Sequence, residues 1–230
     1  MREMKGKYWL AAFITALIFI LGMLLGLVVE SKRVDFVQQQ ARTQKLDFVS
    51  LQLQYQLISE LSQQGNCPAV SSTFDDFLLE LSRTEERLID YEKDSKINKD
   101  EFSSLKKEYV QAQVNYWLLA KKTKQICNND FVTLLYFYSP SEQCRDCDNQ
   151  GLVLTYLKDL LKDRLLIFSF DSSFKEEPII GLLVKSYNVT KYPSVVVGDS
   201  LMSGFYGSTA LLEKICPLYK NKPEECVNLS

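Results

Sequence analysis

The sequence predicts an α/β layered domain of order β-α-β-α-β-β-α over residues 128–230. One transmembrane helix at 8–29 and an α-helical hairpin or three-helix stalk at 30–127 precede it. Three observations carry this division. An apolar run of membrane length stands near the start, helix-spaced apolar stripes follow, and short β-rich runs then alternate with helical spacing.

Composition narrows the function classes. The chain has 230 residues, of which 46% are apolar and 24% charged, as expected of a chain that buries a core. Its net charge of −2, from 27 Lys+Arg against 29 Asp+Glu, gives no basic surface for nucleic acid. Histidine is absent, which removes Ser-His-Asp and Cys-His catalysis, His-ligated zinc or haem, and imidazole switches. Six cysteines remain.

After a short tail at 1–7, residues 8–29 carry no charge for 22 positions. At 1.5 Å rise, about 20 helical residues cross a hydrocarbon core of about 30 Å. Tyr8 and Trp9 stand at one end, where aromatic rings favour the headgroup level. A cleavable signal peptide is the alternative, but its apolar region is about 7–15 residues and needs a small-residue cleavage site. Val28-Val29-Glu30-Ser31 offers none, so the reading is an uncleaved signal-anchor. Arg2, Lys5 and Lys7 precede the run, and Lys32, Arg33, Arg42 and Lys45 follow it. The count is nearly balanced, but the leading charges are packed into seven residues and long domains translocate largely regardless of charge. The N-terminus is therefore read as cytoplasmic and the bulk as extracytoplasmic. Gly22 and Gly26 form a G-x-x-x-G pair, a spacing that lets two helices approach closely and leaves a homodimer open.

Between 30 and 127, three stripes have helical period. Val34, Ala41, Phe48 and Tyr55 recur with Val37, Leu51 and Ile58; Phe74, Leu81 and Leu88 with Phe77, Leu78 and Tyr91; Phe102, Tyr109 and Tyr116 with Leu105, Ala112, Leu119 and Ile126. Gly65-Asn66-Cys67-Pro68 ends the first helix, and Asn98 with Glu101 opens the third as a capping box. The stripes read as a coiled-coil-like helix seam, since no glycine-rich loop or metal-ligand cluster interrupts them. Up-down-up packing brings Cys67 and Cys127 together, which predicts a disulfide; two buried free thiols are the alternative.

From residue 128 the pattern changes. Strands are predicted at 131–138 and 165–170, and helices at 151–161, at 176–187 with Pro178 in the first turn, and at 208–215. Runs at 194–197 and 201–204 flank the turn Gly198-Asp199. A Ser-Pro-Ser loop joins the first strand to Cys144-Arg145-Asp146-Cys147. Cys216 and Cys226 bracket a proline-containing loop and suit a local bridge. Pairing all six cysteines points to an oxidising exterior compartment. Asn188-Val189-Thr190 and Asn228-Leu229-Ser230 match glycosylation sequons, a pattern frequent by chance.

The CRDC after the first strand, NVTKYPSVVV and the GFYGSTALLEKI ending together resemble the thioredoxin superfamily, over about residues 131–218. The resemblance implies a thioredoxin-like fold, a cis Pro193, and a Tyr192 backbone lying beside the sulfur pair where it aligns a substrate chain as an added strand. It also implies a membrane redox partner that recharges the pair. The chain departs from the family's WCGPC: Gln143 precedes the first cysteine, and neither Gly nor Pro separates the two. Its first strand also lacks the acid that thioredoxins bury beneath the resolving cysteine; Glu142 and Asp148 are the nearby carboxylates.

The chemistry of a C-x-x-C at a strand-to-helix junction is thiol–disulfide exchange. That reaction needs an accessible thiolate and a nearby thiol to resolve the mixed disulfide. At a helix N-terminus, unpaired N–H groups and the helix dipole favour a Cys144 thiolate. Cys147, one turn further in, is placed to resolve. Arg145 favours the thiolate and Asp146 opposes it. Zinc would need four ligands, and neither a histidine nor a second C-x-x-C supplies them, so no metal and no cofactor are expected. The reading is a membrane-anchored oxidoreductase acting on protein thiols and disulfides, with oxidation or isomerisation preferred over reduction. The competing reading is a non-catalytic scaffold whose C-x-x-C is a static bridge.

Overall fold

The computed structural model describes residues 99–227 without a break. Ahead of them it describes residues 13–23, 53, 56–58, 60, 61, 64, 67, 68, 70, 81–86 and 88–90. The chain divides into two compact units, Met1–Gln54 and Tyr55–Ser230.

In the first unit, residues 13–23 are helical and their side chains are exposed, Phe13, Ile18 and Phe19 among them. Among the described residues no helix is long and apolar enough to cross a membrane. The rest of the expected span at 8–29, Gly26 included, lies outside the described residues, as does most of the first stalk stripe.

The second unit is built from α1 (Lys99–Cys127), β1 (Val132–Tyr138), α2 (Cys147–Leu161), β2 (Leu165–Asp171), α3 (Pro178–Ser186), β3 (Ser194–Val197), β4 (Ser200–Ser203), α4 (Ser208–Ile215) and one turn, α5 (Glu224–Val227). The strands form one sheet in the order β2-β1-β3-β4. β1 and β2 run parallel, Val132 beside Leu165, whereas β3 is antiparallel to both β1 and β4. Asn128 adopts a positive φ of 57° immediately after α1, a conformation asparagine tolerates better than most residues. Gly198, at φ 61°, makes the β3–β4 turn, and a Cβ there would stand 3.3 Å from Leu218 Cδ1.

β1 reads as a continuous apolar run because both faces of the sheet are covered. Side chains alternate across the strand. Leu135 and Phe137 therefore share a core with α1 and α3 through Val114, Tyr116, Ile180 and Leu183. Val132, Leu134 and Tyr136 face α2 and α4 through Leu154, Leu157, Leu211 and Ile215. The expected boundary at 127/128 follows a change in composition, yet α1 and the sheet form one core. Ile58 and Val70, from the segment ahead of α1, belong to it as well. The α1 stripe is thus buried against strands as well as helices, with Tyr116 and Phe168 ring centroids 5.7 Å apart.

Polar contacts set where α1 lies. β2 is an edge strand, and an unpaired edge exposes backbone donors and acceptors. The buried Gln113 side chain meets this need: Ser169 N donates to its Oε1 at 2.7 Å, and its Nε2 donates to Ser169 O at 3.0 Å. Lys106 Nζ lies 2.6 Å from Asp171 Oδ2, and Gln111 Nε2 donates to Glu177 Oε2 at 2.8 Å. Glu177 also caps α3, accepting from Ile179 N behind the expected Pro178. Cys67 and Cys127 are joined by a disulfide with Cα atoms 5.5 Å apart. Closing a loop of sequence separation 60 contributes roughly 4 kcal/mol in the chain-entropy account.

Two expectations follow. Gln113→Leu leaves the Ser169 peptide groups without their partner and lowers unfolding stability by about 2–3 kcal/mol, read from urea denaturation. Burial alone would raise the Asp171 pKa, but hydrogen bonds from Lys106 and Ser173 and the Lys106 charge hold it below the ordinary carboxylate range. A depressed folded-state value gives stability that is fully present above the unfolded value of about 4 and lost as pH falls through the folded one. Acid unfolding profiles below about pH 5 should therefore flatten in Asp171→Asn relative to the parent.

Candidate functional site

The strand directions gather three loops at one end of the sheet. β1 ends there and leads through Ser139 and Pro140 towards the cysteine pair; β3 begins there after Tyr192 and Pro193; β4 ends there at Ser203, before Gly204, Phe205 and Tyr206. Cys144 and Cys147 are joined by a disulfide, with Cα atoms 5.4 Å apart. Pro140 O accepts from both Gln143 N, at 2.8 Å, and Cys144 N, at 3.0 Å, which tightens the approach to the pair.

One boundary and one expectation about this pair are corrected. α2 begins at Cys147, four residues ahead of the expected 151, and Cys144 lies in the turn just before it. With no proline between the cysteines to open the helix early, Asp146 takes the N-cap position, and its side chain makes no capping hydrogen bond. Cys144 is also not exposed: it retains 4% of its accessible surface, against 3% for Cys147. Its sequence neighbours Gln143, Arg145 and Asp146 are all exposed.

Hydrogen bonds tie the three loops together. Gly204 N donates to Pro193 O at 2.8 Å. The fully buried Gln150 accepts from Tyr206 N at 2.9 Å and donates to Tyr206 O at 3.2 Å, fastening the loop after β4 to the first turns of α2. The Tyr192–Pro193 peptide bond is cis; Tyr192 is half-buried, Pro193 is buried, and Phe205 is 47% exposed nearby in the fold. Beneath the pair, the Tyr136 hydroxyl donates to Cys147 O at 2.6 Å. Burial first, then the neighbouring Tyr138 and Asp148, push the Tyr136 pKa far up, so the hydroxyl remains a neutral donor. Glu142 and Asp148 are exposed, and Asp148 accepts from Ser141 Oγ at 2.9 Å.

The remaining cysteines lie elsewhere. Cys216 and Cys226 are bridged after α4, with Cα atoms 5.5 Å apart, and Cys67–Cys127 adjoins the opposite end of β1. All six cysteines are therefore paired. Asn188 is exposed in the turn after α3, whereas Asn228 lies outside the described residues. Sequence reasoning missed Gln150 and Tyr136. The signal for Gln150 was a polar residue interrupting the apolar stripe of a helix, and that for Tyr136 a hydroxyl on the strand face turned towards α2.

No protein-family model matches the chain, and no curated protein matches it. Several solved structures do. Thioredoxin-2, described as a component of malaria parasite protein secretion machinery, is 20% identical, covering 37% of this chain and 84% of its own, with a TM-score of 0.30. Chloroplastic thioredoxin z is 16% identical, covering 43% and 88%, with a TM-score of 0.33. The first thioredoxin domain of mouse protein disulfide-isomerase A4 is also 16% identical, covering 45% and 77%, with a TM-score of 0.30. Identities this low do not carry function across. The sheet from β1 to β4, with α1 and α3 on one face and α2 and α4 on the other, is a thioredoxin-like α/β fold.

Gln150→Leu removes both bonds to Tyr206. It should speed amide hydrogen exchange at Tyr206 by about tenfold, with little change in exchange across β1.

Proposed function

We propose that this chain is a membrane-anchored thiol–disulfide oxidoreductase, with Cys144 as nucleophile and Cys147 as resolving thiol. One observation carries the reading. The disulfide closes in the loop between a strand and a helix, at the sheet end that the Tyr192–Pro193 and Gly204–Tyr206 segments share. Residues 8–29 serve as the anchor, supported by their 22 uncharged positions and by the exposed apolar helix at 13–23. The N-terminus faces the cytoplasm, and the folded bulk acts on exported proteins outside it. A dimer through Gly22 and Gly26 belongs to the same reading.

In the oxidising direction a substrate thiolate attacks the Cys144 sulfur. The Cys144–Cys147 bond breaks, and Cys147 leaves as a thiolate that takes up a proton. A second substrate thiolate then attacks the substrate sulfur of the mixed disulfide and releases Cys144. Two electrons have passed from the substrate dithiol to the pair, and a membrane disulfide or quinone-linked partner is required to take them on. Arg145 and Asp146, exposed between the cysteines, place opposite charges beside the developing Cys144 thiolate.

The second reading, a static bridge in an anchored scaffold, draws on the low exposure of both cysteines. The two readings part on one property. An exchange catalyst has a reduction potential of roughly −120 to −270 mV, whereas a structural bridge lies below about −300 mV.

Cys147→Ala should accumulate mixed disulfides through Cys144 that disappear in the Cys144→Ala/Cys147→Ala chain, as seen on non-reducing gels of thiol-trapped cells. No trapped partner, together with a potential below about −300 mV, would establish the scaffold instead.

A further inference from the structure

We propose that Tyr136 is a positioning residue for the resolving cysteine: its hydroxyl, donated to the Cys147 carbonyl oxygen, keeps the Cys147 sulfur within closing reach of Cys144 when the bond between them opens. The inference deepens the exchange reading above and rests on it.

The contact spans 11 residues of sequence and is buried at both ends. Tyr136 is only 5% exposed, and its ring stacks on Tyr138 at a centroid distance of 5.4 Å, which limits where the hydroxyl can go. Its partner is the first residue of α2, and the usual device for holding a helix start is absent, because Asp146 makes no side-chain cap. The strand hydroxyl is therefore the side-chain contact that fixes the Cys147 backbone to the sheet. A carbonyl that already serves the helix can accept a second donor through its other lone pair.

The consequence for exchange is directional. In a mixed disulfide through Cys144, Cys147 must find the Cys144 sulfur before any other thiol does, and a fixed backbone raises its effective concentration there. Tyr136 thus favours the closed disulfide over the open dithiol. A phenol that does not ionise also cannot serve as the proton acceptor a buried carboxylate would be, so its role is to place Cys147 and not to deprotonate it.

Tyr219 supplies a matched control. It is also 5% exposed, and its hydroxyl donates to a backbone carbonyl, Arg164 O, at 2.9 Å, but at the opposite end of the sheet. The full chain, Y136F and Y219F are equilibrated in glutathione buffers, thermal midpoints are recorded, and the lifetime of a mixed disulfide with a cysteine peptide is measured. Y136F should shift the equilibrium about fivefold towards the dithiol and lengthen the mixed-disulfide lifetime by a similar factor, while Y219F stays within about twofold of the parent, at comparable cost in thermal midpoint. An unshifted Y136F, or a Y219F shifted as far, overturns the assignment. The glutathione equilibrium needs no catalysis. A chain inactive on protein thiols but showing the Y136F shift therefore counts against the exchange reading and for the contact, and an active chain without the shift does the reverse.

Discussion

The direction of β1 governs the rest of this fold. Running parallel to β2 and antiparallel to β3, it delivers the chain to the sheet end from which β3 departs. The cysteine pair, the Tyr192–Pro193 segment and the Gly204–Tyr206 segment must then share that end. What holds them there is one backbone bond, Gly204 N to Pro193 O, and two buried side chains that bind backbone, Gln150 on the Tyr206 N–H and C=O and Tyr136 on the Cys147 carbonyl. Side chains facing solvent between the cysteines are free to vary without disturbing this frame.

The same logic explains the polar residues buried on the far side of β2. A sheet whose edge strand is covered by a helix leaves backbone groups that a helix cannot pair with its own, since those are spent within it. Gln113 resolves the mismatch by presenting one acceptor and one donor to a single residue, Ser169. Lys106 with Asp171 and Gln111 with Glu177 add side-chain to side-chain bonds as α1 passes β2 and the loop after it. At the other end of β1, the Cys67–Cys127 bridge ties the segment ahead of α1 to the same body. Seven strand residues at about 3.3 Å each put about 20 Å between that bridge and the end where Cys144 and Cys147 lie. The two disulfides are chemically independent.

Local pattern made most of the domain legible. The strands at 194–197 and the helix at 208–215 stand at the positions that residue type and turn signals indicate, because the β-branched run and the apolar spacing there answer only to their own neighbours. The start of α2 was not legible. Position of a helix start depends on caps, and CRDC supplies an Asp that leaves its capping role unfilled. The burial of Cys144 was not legible for a different reason: solvent exposure depends on tertiary packing, which no periodicity within 141–147 reports. Nor could α1 be assigned to the sheet, since its stripe of Tyr116, Leu119 and Ala120 suits a helical partner as well as strands. Gln113, a buried polar residue in that stripe, was a sign that something other than a helix face lay opposite.

The three bridges differ in what they can contribute to stability, and this bears on how the C-x-x-C is read. In the chain-entropy account, closing a loop of separation 60 gives roughly 4 kcal/mol, one of separation 10 roughly 3, and one of separation 3 only about 2. Cys144–Cys147 is thus the weakest staple of the three. It also sits where other bonds already hold the chain, between the Pro140 turn on one side and the Tyr136 and Gln150 contacts on the other. A bridge that adds little to a segment already fastened is one whose opening the fold can survive. That tolerance is what exchange chemistry demands of a disulfide.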